Sequence, residues 1–238
     1  MYDQIAQDWK NKRQHPWKPL VSILEPYLKL HFSSSRADQE QTSIFLDVGA
    51  GSGRHSEFLQ QYCTRLIEID QSREMLKHNN SPSLKVQADM ISLPFRTNSV
   101  DGIFSIASIH HIKGKTHRIR IINDFQKIAR KEALIVITVW RFKQKKFFHE
   151  YKKQILESTY REFGIKLSAK SKIDKEIGDV NVPWKVSQQN QEIVIQRFYH
   201  LFRAVEFRHL VKPFKSKLIT AFGSGREKSN FLFIGVNE

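Results

Sequence analysis

Cysteine is almost absent: Cys63 is the single one in 238 residues. No disulfide framework can hold this chain together, which suits a reducing compartment. No apolar run approaches the length of a membrane-spanning helix. The opening residues, MYDQIAQDWKNKRQHPW, lack the apolar core of a secretion signal, and their acidic residues argue against a transit peptide. The expectation is a cytoplasmic protein with no membrane partner. Acidic residues are the other shortage. Asp and Glu number 24 against 39 Lys and Arg, a net charge of +15. Such a balance attracts polyanions, and nucleic acid ranks ahead of a membrane because no basic amphipathic anchor is visible. No internal repeat is present either.

What is there reads as one α/β domain. Hydrophobic residues make up 40% and aromatics 11%, and the length suffices for a sizeable core. Residues 1–30 read as a helical lead-in, with apolar residues at helical spacing through Leu20, Val21, Ile23, Leu24, Tyr27 and Leu28. A polar, Ser-rich loop over 31–43 leads into the core. IFLDV, TRLIEID, LKVQAD, VDGIFSIAS and ALIVITVW read as five strands, alternating with helical stretches such as HRIRIINDFQKIAR. That alternation predicts a parallel sheet with crossover helices. Residues 141–185 break the pattern with twelve Lys/Arg against six Asp/Glu, and read as a basic insertion. QEIVIQRFYHLFRAVEFRHLV, residues 191–211, reads as an amphipathic helix. KLITAFGSGREKSNFLFIGV reads as two strands around a Gly/Ser turn.

DVGAGSG places Gly49, Gly51 and Gly53 directly after a strand and before a helix. Glycines there allow strained turns and close backbone approach to a ligand. The spacing departs from the dinucleotide fingerprint by one residue, and Asp47 stands two residues ahead. The pattern resembles motif I of class I S-adenosylmethionine-dependent methyltransferases. Asp70 ends the second strand, where a carboxylate can accept both ribose hydroxyls. Asp89 ends the third; in the family the equivalent acid accepts from the adenine amino group and the next side chain, here Met90, covers the ring.

A narrower resemblance rests on IAQDWKNKRQHPW, LPFRTNSVDGIFSIASIHHI, VITVW, GDVNVPWK and QRFYHLFRAVEF. Together these are similar to the tRNA methyltransferases that esterify 5-carboxymethyluridine at the wobble position and work with a small zinc-binding activator subunit. The chain departs from the family at Glu68, where glycine is usual, and at VWRF, which lacks an acidic residue after the tryptophan. The resemblance implies a Rossmann-like class I methyltransferase domain: a mostly parallel seven-stranded sheet with helices on both faces. It implies S-adenosylmethionine as cofactor, the tRNA anticodon stem-loop as substrate and a heterodimer with the activator. SLKVQADMISLPF would be the edge strand that the activator covers. A small-molecule methyltransferase, acting on a quinone precursor or lipid, and a non-enzymatic RNA-binding scaffold are the alternatives.

The acceptor residues follow. A carboxylate substrate wants a fork of donors, and the resemblance places Arg13 at the mouth of the site. Trp17 and Trp140 could stack on cofactor or base. Lys143, Lys145, Lys146, Lys152 and Lys153 would meet phosphates. The segment Gly178–Trp184 is expected to be extended, because Pro183 disfavours helix before it, and to close over the site with Trp184. Arg197, Tyr199 and His200 are placed on the following helix as substrate-side residues. His110 and His111 stand at the end of the fourth strand, where adjacent side chains point to opposite faces. They should not chelate one ion together, and no metal is expected. His110 is assigned to the substrate as a donor, with His111 the weaker candidate.

Overall fold

The computed structural model describes residues 1–32, 42–162, 176–188, 191–223 and 227–238. Most of the Ser-rich 31–43 loop, and residues 163–175 of the basic insertion, lie outside the described residues. The core strands are β1 (Ile44–Val48), β2 (Arg65–Asp70), β3 (Leu84–Gln87), β4 (Val100–Ile106) and β5 (Ala129–Trp140). After them come a hairpin, β6 (Asp179–Gln188) and β7 (Gln191–His200), and the last pair, β8 (Lys215–Phe222) and β9 (Asn230–Val236). One seven-stranded sheet has the order β3-β2-β1-β4-β5-β9-β8. Its first five strands are parallel and its last two pairings antiparallel. The expected seven-stranded, mostly parallel α/β sheet is therefore observed.

Alternation along the strands builds two cores. In β5, Leu134 and Val136 face one side of the sheet while Ile135, Ile137 and Val139 face the other. Helices α1 (Ala6–Lys12), α2 (Lys18–Phe32), α3 (Ser56–Gln60), α4 (Arg73–Lys77), α5 (Lys115–Ile128), α6 (Phe148–Glu162) and α7 (Ala204–Leu210) surround it. Leu20, Leu24 and Leu28 of α2 lie against one face, and Ile121, Ile122 and Phe125 of α5 against the other. Each such side chain stabilises the fold by about 1.5–3 kcal/mol on full burial. Strand order reverses between β1 and β4, and open α/β sheets hold ligands at such a switch, outside the carboxyl ends of the strands.

Two sequence expectations are corrected. Residues 191–200 are strand, not helix: β7 pairs antiparallel with β6 from Asp179↔His200 to Gln188↔Gln191. Only 204–210 of that stretch is helical. The run Ile193-Val194-Ile195 is β-branched, and Arg197 and Tyr199 turn inward at strand spacing; partner pairing outweighed a periodicity that fits both templates. Pro183 fits because a two-stranded ribbon has only edges. His110 and His111 are not on an extended strand. β4 stops at Ile106, Ala107 takes φ +56°, and Ile109–His111 forms a 3-10 turn. Both imidazoles therefore reach the same neighbour, Tyr199, at ring-centroid distances of 5.2 and 4.3 Å.

Candidate active site

A cavity of about 880 Å³ opens at the switch point. One half is acidic. Gly49 and Gly51 follow β1 with φ of +82° and +59°, in the left-handed region that glycine tolerates. A Cβ on Gly49 would stand 2.4 Å from the Ser108 hydroxyl oxygen, so the turn can sit against the loop after β4 only without a side chain. Asp70 is oriented by backbone: its two carboxylate oxygens accept from the Gly51 and Ser72 N–H groups, each at 2.8 Å. Asp89 accepts from the Ile91 N–H at 3.0 Å, and Met90 stands beside it in the wall. Asp47 is buried. Burial, with the charges of Glu68 and Asp70, pushes its carboxyl well above the usual range, against the opposing pull of Arg54. Burial and the Arg13 charge in turn hold the Arg54 guanidinium down at about 10.

The other half is built of cations and aromatic rings. Arg197 is only 4% exposed, yet it lines the cavity and is not paired with a carboxylate among the described residues. Its Nη1 donates to the Tyr199 hydroxyl at 2.6 Å, while its Nε has no partner among the described residues. Trp184, Tyr199 and Trp9 box the guanidinium at 4.4, 5.1 and 5.6 Å. Tyr199, Trp140 and His110 pack on one another at centroid distances of 4.4, 5.2 and 5.6 Å, and Lys146 lies 4.1 Å over the Trp140 ring. His110 is neutral: burial drives its pKa well down, helped by His111, Arg197 and His200. The Trp140 backbone N–H donates to its Nδ1 at 3.3 Å, which leaves the proton on Nε2 as a donor.

The sequence-predicted residues do not all reach the cavity. Arg13, Trp17, Asp47, Gly49, Gly51, Asp70, Asp89, Met90, His110, His111, Trp140, Arg197 and Tyr199 line it. Arg13 is exposed at the mouth, over Trp9. Trp17 packs on Phe222. Gly53 is outside the wall; a Cβ there would strike the Asn79 side chain at 2.2 Å, so its role is packing. Trp184 lies behind Arg197 and donates its indole N–H to Asp8 at 2.7 Å. His200 lies at the root of the hairpin, its two nitrogens on Asp179 and Glu206 at 2.7 and 2.6 Å with Arg118 beside it. Glu206, His200 and Glu176 surround the Arg118 guanidinium, which fills the space between them with its own charge. Glu68 is buried on β2 outside the cavity and accepts hydroxyls from Ser56, Ser81 and Ser83.

Sequence reasoning missed Tyr2, Asp3, Trp9 and Arg54. Tyr2 lies outside every motif and Trp9 inside IAQDWKNKRQHPW without a role of its own; they reach the site because Asp3 accepts from the Ser72 hydroxyl at 2.5 Å and the Glu74 N–H at 3.1 Å, tying the N-terminus to α4. Arg54 follows the glycine motif directly, so its position was the one available signal.

Comparison with known proteins places the chain. Residues 46–137 match a family described as "Methyltransferase domain". The tRNA (carboxymethyluridine(34)-5-O)-methyltransferase of Schizosaccharomyces pombe is 24% identical over 228 residues, covering 89% of this chain and 85% of that one. The mouse "Probable tRNA methyltransferase 9B" is 32% identical over 117 residues, which is 45% of this chain and about a quarter (24%) of that protein. A Clostridium acetobutylicum S-adenosylmethionine-dependent methyltransferase superposes with a TM-score of 0.61 at 10% identity, over 99% and 98% of the two chains. A Haloferax volcanii methyltransferase, solved in complex with the Trm112 methyltransferase activator, gives 0.51 at 13% identity over 91% and 92%. The resemblance to tRNA carboxymethyluridine methyltransferases is borne out by these relatives, and the fold is that of the class I methyltransferases. The acidic half suits S-adenosylmethionine: a glycine turn without side chains, Asp70 with both oxygens aligned by backbone, and opposite charges on Asp47 and Arg54 for a zwitterionic amino-acid tail.

Proposed function

We infer that this S-adenosylmethionine-dependent methyltransferase esterifies the carboxylate of 5-carboxymethyluridine at the wobble position of tRNA anticodons. The observation that carries this reading is Arg197, a buried guanidinium facing the cavity without a carboxylate partner among the described residues. A buried, unpaired charge is costly unless a ligand supplies the counter-ion. A substrate carboxylate does so, and a guanidinium meets it with parallel donors. His110, through Nε2–H, adds a neutral donor on the same side. Arg13 at the mouth adds a second guanidinium.

When bound, S-adenosylmethionine supplies an electrophilic methyl group whose bond to sulfur breaks as its bond to a carboxylate oxygen forms. A carboxylic acid with a pKa of about 4 is already ionised at neutral pH, so no side chain has to remove a proton. Asp47, Asp70 and Asp89 would hold the cationic ligand, and Arg197 and His110 the anionic one. Positioning two reactants in this way can remove about 7 kcal/mol or more of a barrier, and a walled cavity keeps water out.

The +15 charge supports a tRNA anticodon as the macromolecule, with Lys143, Lys145, Lys146, Lys152 and Lys153 near its phosphates. A small zinc-binding activator fits β3, the parallel edge of the sheet, where Leu84 is 54% exposed beside Lys85 and Gln87. No helix among the described residues is long and apolar enough to cross a membrane, and a cytoplasmic location fits a tRNA-modifying role. The test is methyl transfer to anticodon stem-loops bearing 5-carboxymethyluridine, 5-carbamoylmethyluridine or uridine, with the activator co-expressed. Transfer to the acid alone, giving a base-labile ester, is expected. Binding of S-adenosylmethionine without transfer to the acid would overturn the reading.

A further inference from the structure

Two adjacent histidines in the same turn are held in opposite proton states by backbone. His110 receives the Trp140 N–H on Nδ1 at 3.3 Å. His111 sets its own Nδ1 3.1 Å from the carbonyl oxygen of Phe198 and 2.8 Å from the hydroxyl of Tyr2. A carbonyl oxygen cannot donate, so the Nδ1 of His111 carries a proton. That proton is shared between the Phe198 oxygen and the Tyr2 oxygen, and both act as acceptors. The hydroxyl proton of Tyr2 then has to point elsewhere. No other acceptor for it is found among the described residues, and Tyr2 lines the cavity.

The place of that hydroxyl is informative. Tyr2 meets the basic half through His111, whose ring packs on Tyr199 at 4.3 Å, and its neighbour Asp3 meets the acidic half through Ser72, whose N–H also holds Asp70. Tyr2 therefore stands at the junction, where an acceptor oxygen has to meet the donor. Its position is fixed: Asp3 ties the first turn to α4, and the phenol ring packs edge-on against Trp9 and His111 at 6.4 and 5.4 Å. We propose that the Tyr2 hydroxyl is a further donor to the acceptor carboxylate, alongside Arg197 and His110, its proton aimed into the cavity by the imidazole of His111. The proposal rests on the carboxylate-methylating reading and adds its chemical gate: an anion that accepts from a guanidinium and from neutral donors is chosen over the isosteric amide, whose N–H₂ would face donors only. Burial supports it, raising the Tyr2 hydroxyl far above the usual phenol range so that it keeps its proton, and holding His111 neutral at about 4 against the favourable bond to Phe198. Tyr2 would touch the substrate; His111 is a positioning residue.

The experiment uses the enzyme with its activator and S-adenosylhomocysteine, and measures binding of stem-loops bearing 5-carboxymethyluridine or 5-carbamoylmethyluridine. The wild type should prefer the acid. Tyr2→Phe, which keeps the ring packing, should lose about tenfold of that preference, as the loss of a hydrogen bond to a charged group implies, with S-adenosylmethionine affinity unchanged. His111→Phe should lose a similar factor, and the double variant no more than either, because the two act as one unit. A full preference in Tyr2→Phe, or additive losses, overturns the proposal while the substrate reading stands. A wild type without preference overturns both. Nitrogen-15 spectra of the imidazoles read the relay without RNA: His111 should be the Nδ1–H tautomer and His110 the Nε2–H tautomer. Nε2–H at His111 overturns the relay.

Discussion

The acidic and basic halves of the cavity are made by different means. Asp47, Asp70 and Asp89 sit at or just beyond the ends of consecutive parallel strands, and local backbone aligns the last two: Asp70 takes the Gly51 and Ser72 N–H groups, Asp89 that of Ile91. Arg197, Tyr199, Trp140 and His110 come from elements that are distant in the chain, and Arg197 is held by rings from α1, β6 and β7. The acidic half is a property of sheet topology. The basic half depends on a hairpin outside the sheet, docked by an ion network at its root and by Trp184 and Val186 packing on Ile5, Ala6 and Met75.

That contrast can be broken in stages. The largest effect is expected from Arg197→Gln, which should lower methyl transfer to the carboxylate substrate by about 100-fold or more, the scale of losing one side of a buried charge pair. S-adenosylmethionine affinity should stay within about twofold in calorimetry, since a residue of the basic half alone has changed. A matching fall in cofactor affinity would merge the two halves.

His200→Gln tests the root of the hairpin. Breaking the buried His200–Asp179–Glu206 arrangement should cost about 3 kcal/mol or more in denaturant titration. Burial by itself lowers the His200 pKa, but the bonds to Asp179 and Glu206 outweigh it and raise it. Its contribution is therefore complete below the ordinary histidine value and is lost as pH rises through the raised one. Melting at about pH 6 and about pH 9 should show the wild type losing this part of its stability and His200→Gln not.

Asp70→Ala is the complementary change. It should weaken S-adenosylmethionine by roughly 10- to 100-fold, as two charged hydrogen bonds to a ribose would, and leave binding of the acid stem-loop nearly intact. The smallest effect is a proton count. Asp47 holds its proton to a higher pH than an exposed carboxyl because of burial, then Glu68 and Asp70. Its ionisation opposes folding as pH rises, and a bound ammonium group relieves that opposition. Cofactor binding should thus tighten with rising pH and release a fraction of a proton, read by calorimetry in two buffers. Asp47→Asn should abolish the release.

The sequence by itself determined the sheet and the acidic half. Apolar runs joined by crossover helices permit few topologies, and the glycine turn and strand-end acids are local features that any such topology brings to one crevice. It did not determine β7, whose residues fit helical and strand periods alike until β6 pairs with them. Nor did it place Tyr2, whose position comes from Asp3 reaching Ser72 and Glu74, 69 and 71 residues away. His110 and His111 show the division most sharply. Their place after β4 was legible. Their opposite tautomers come from the Trp140 N–H and the Phe198 carbonyl, brought in by strands 30 and 87 residues away. A proton position is set by the partner across space, and only the tertiary structure supplies that partner.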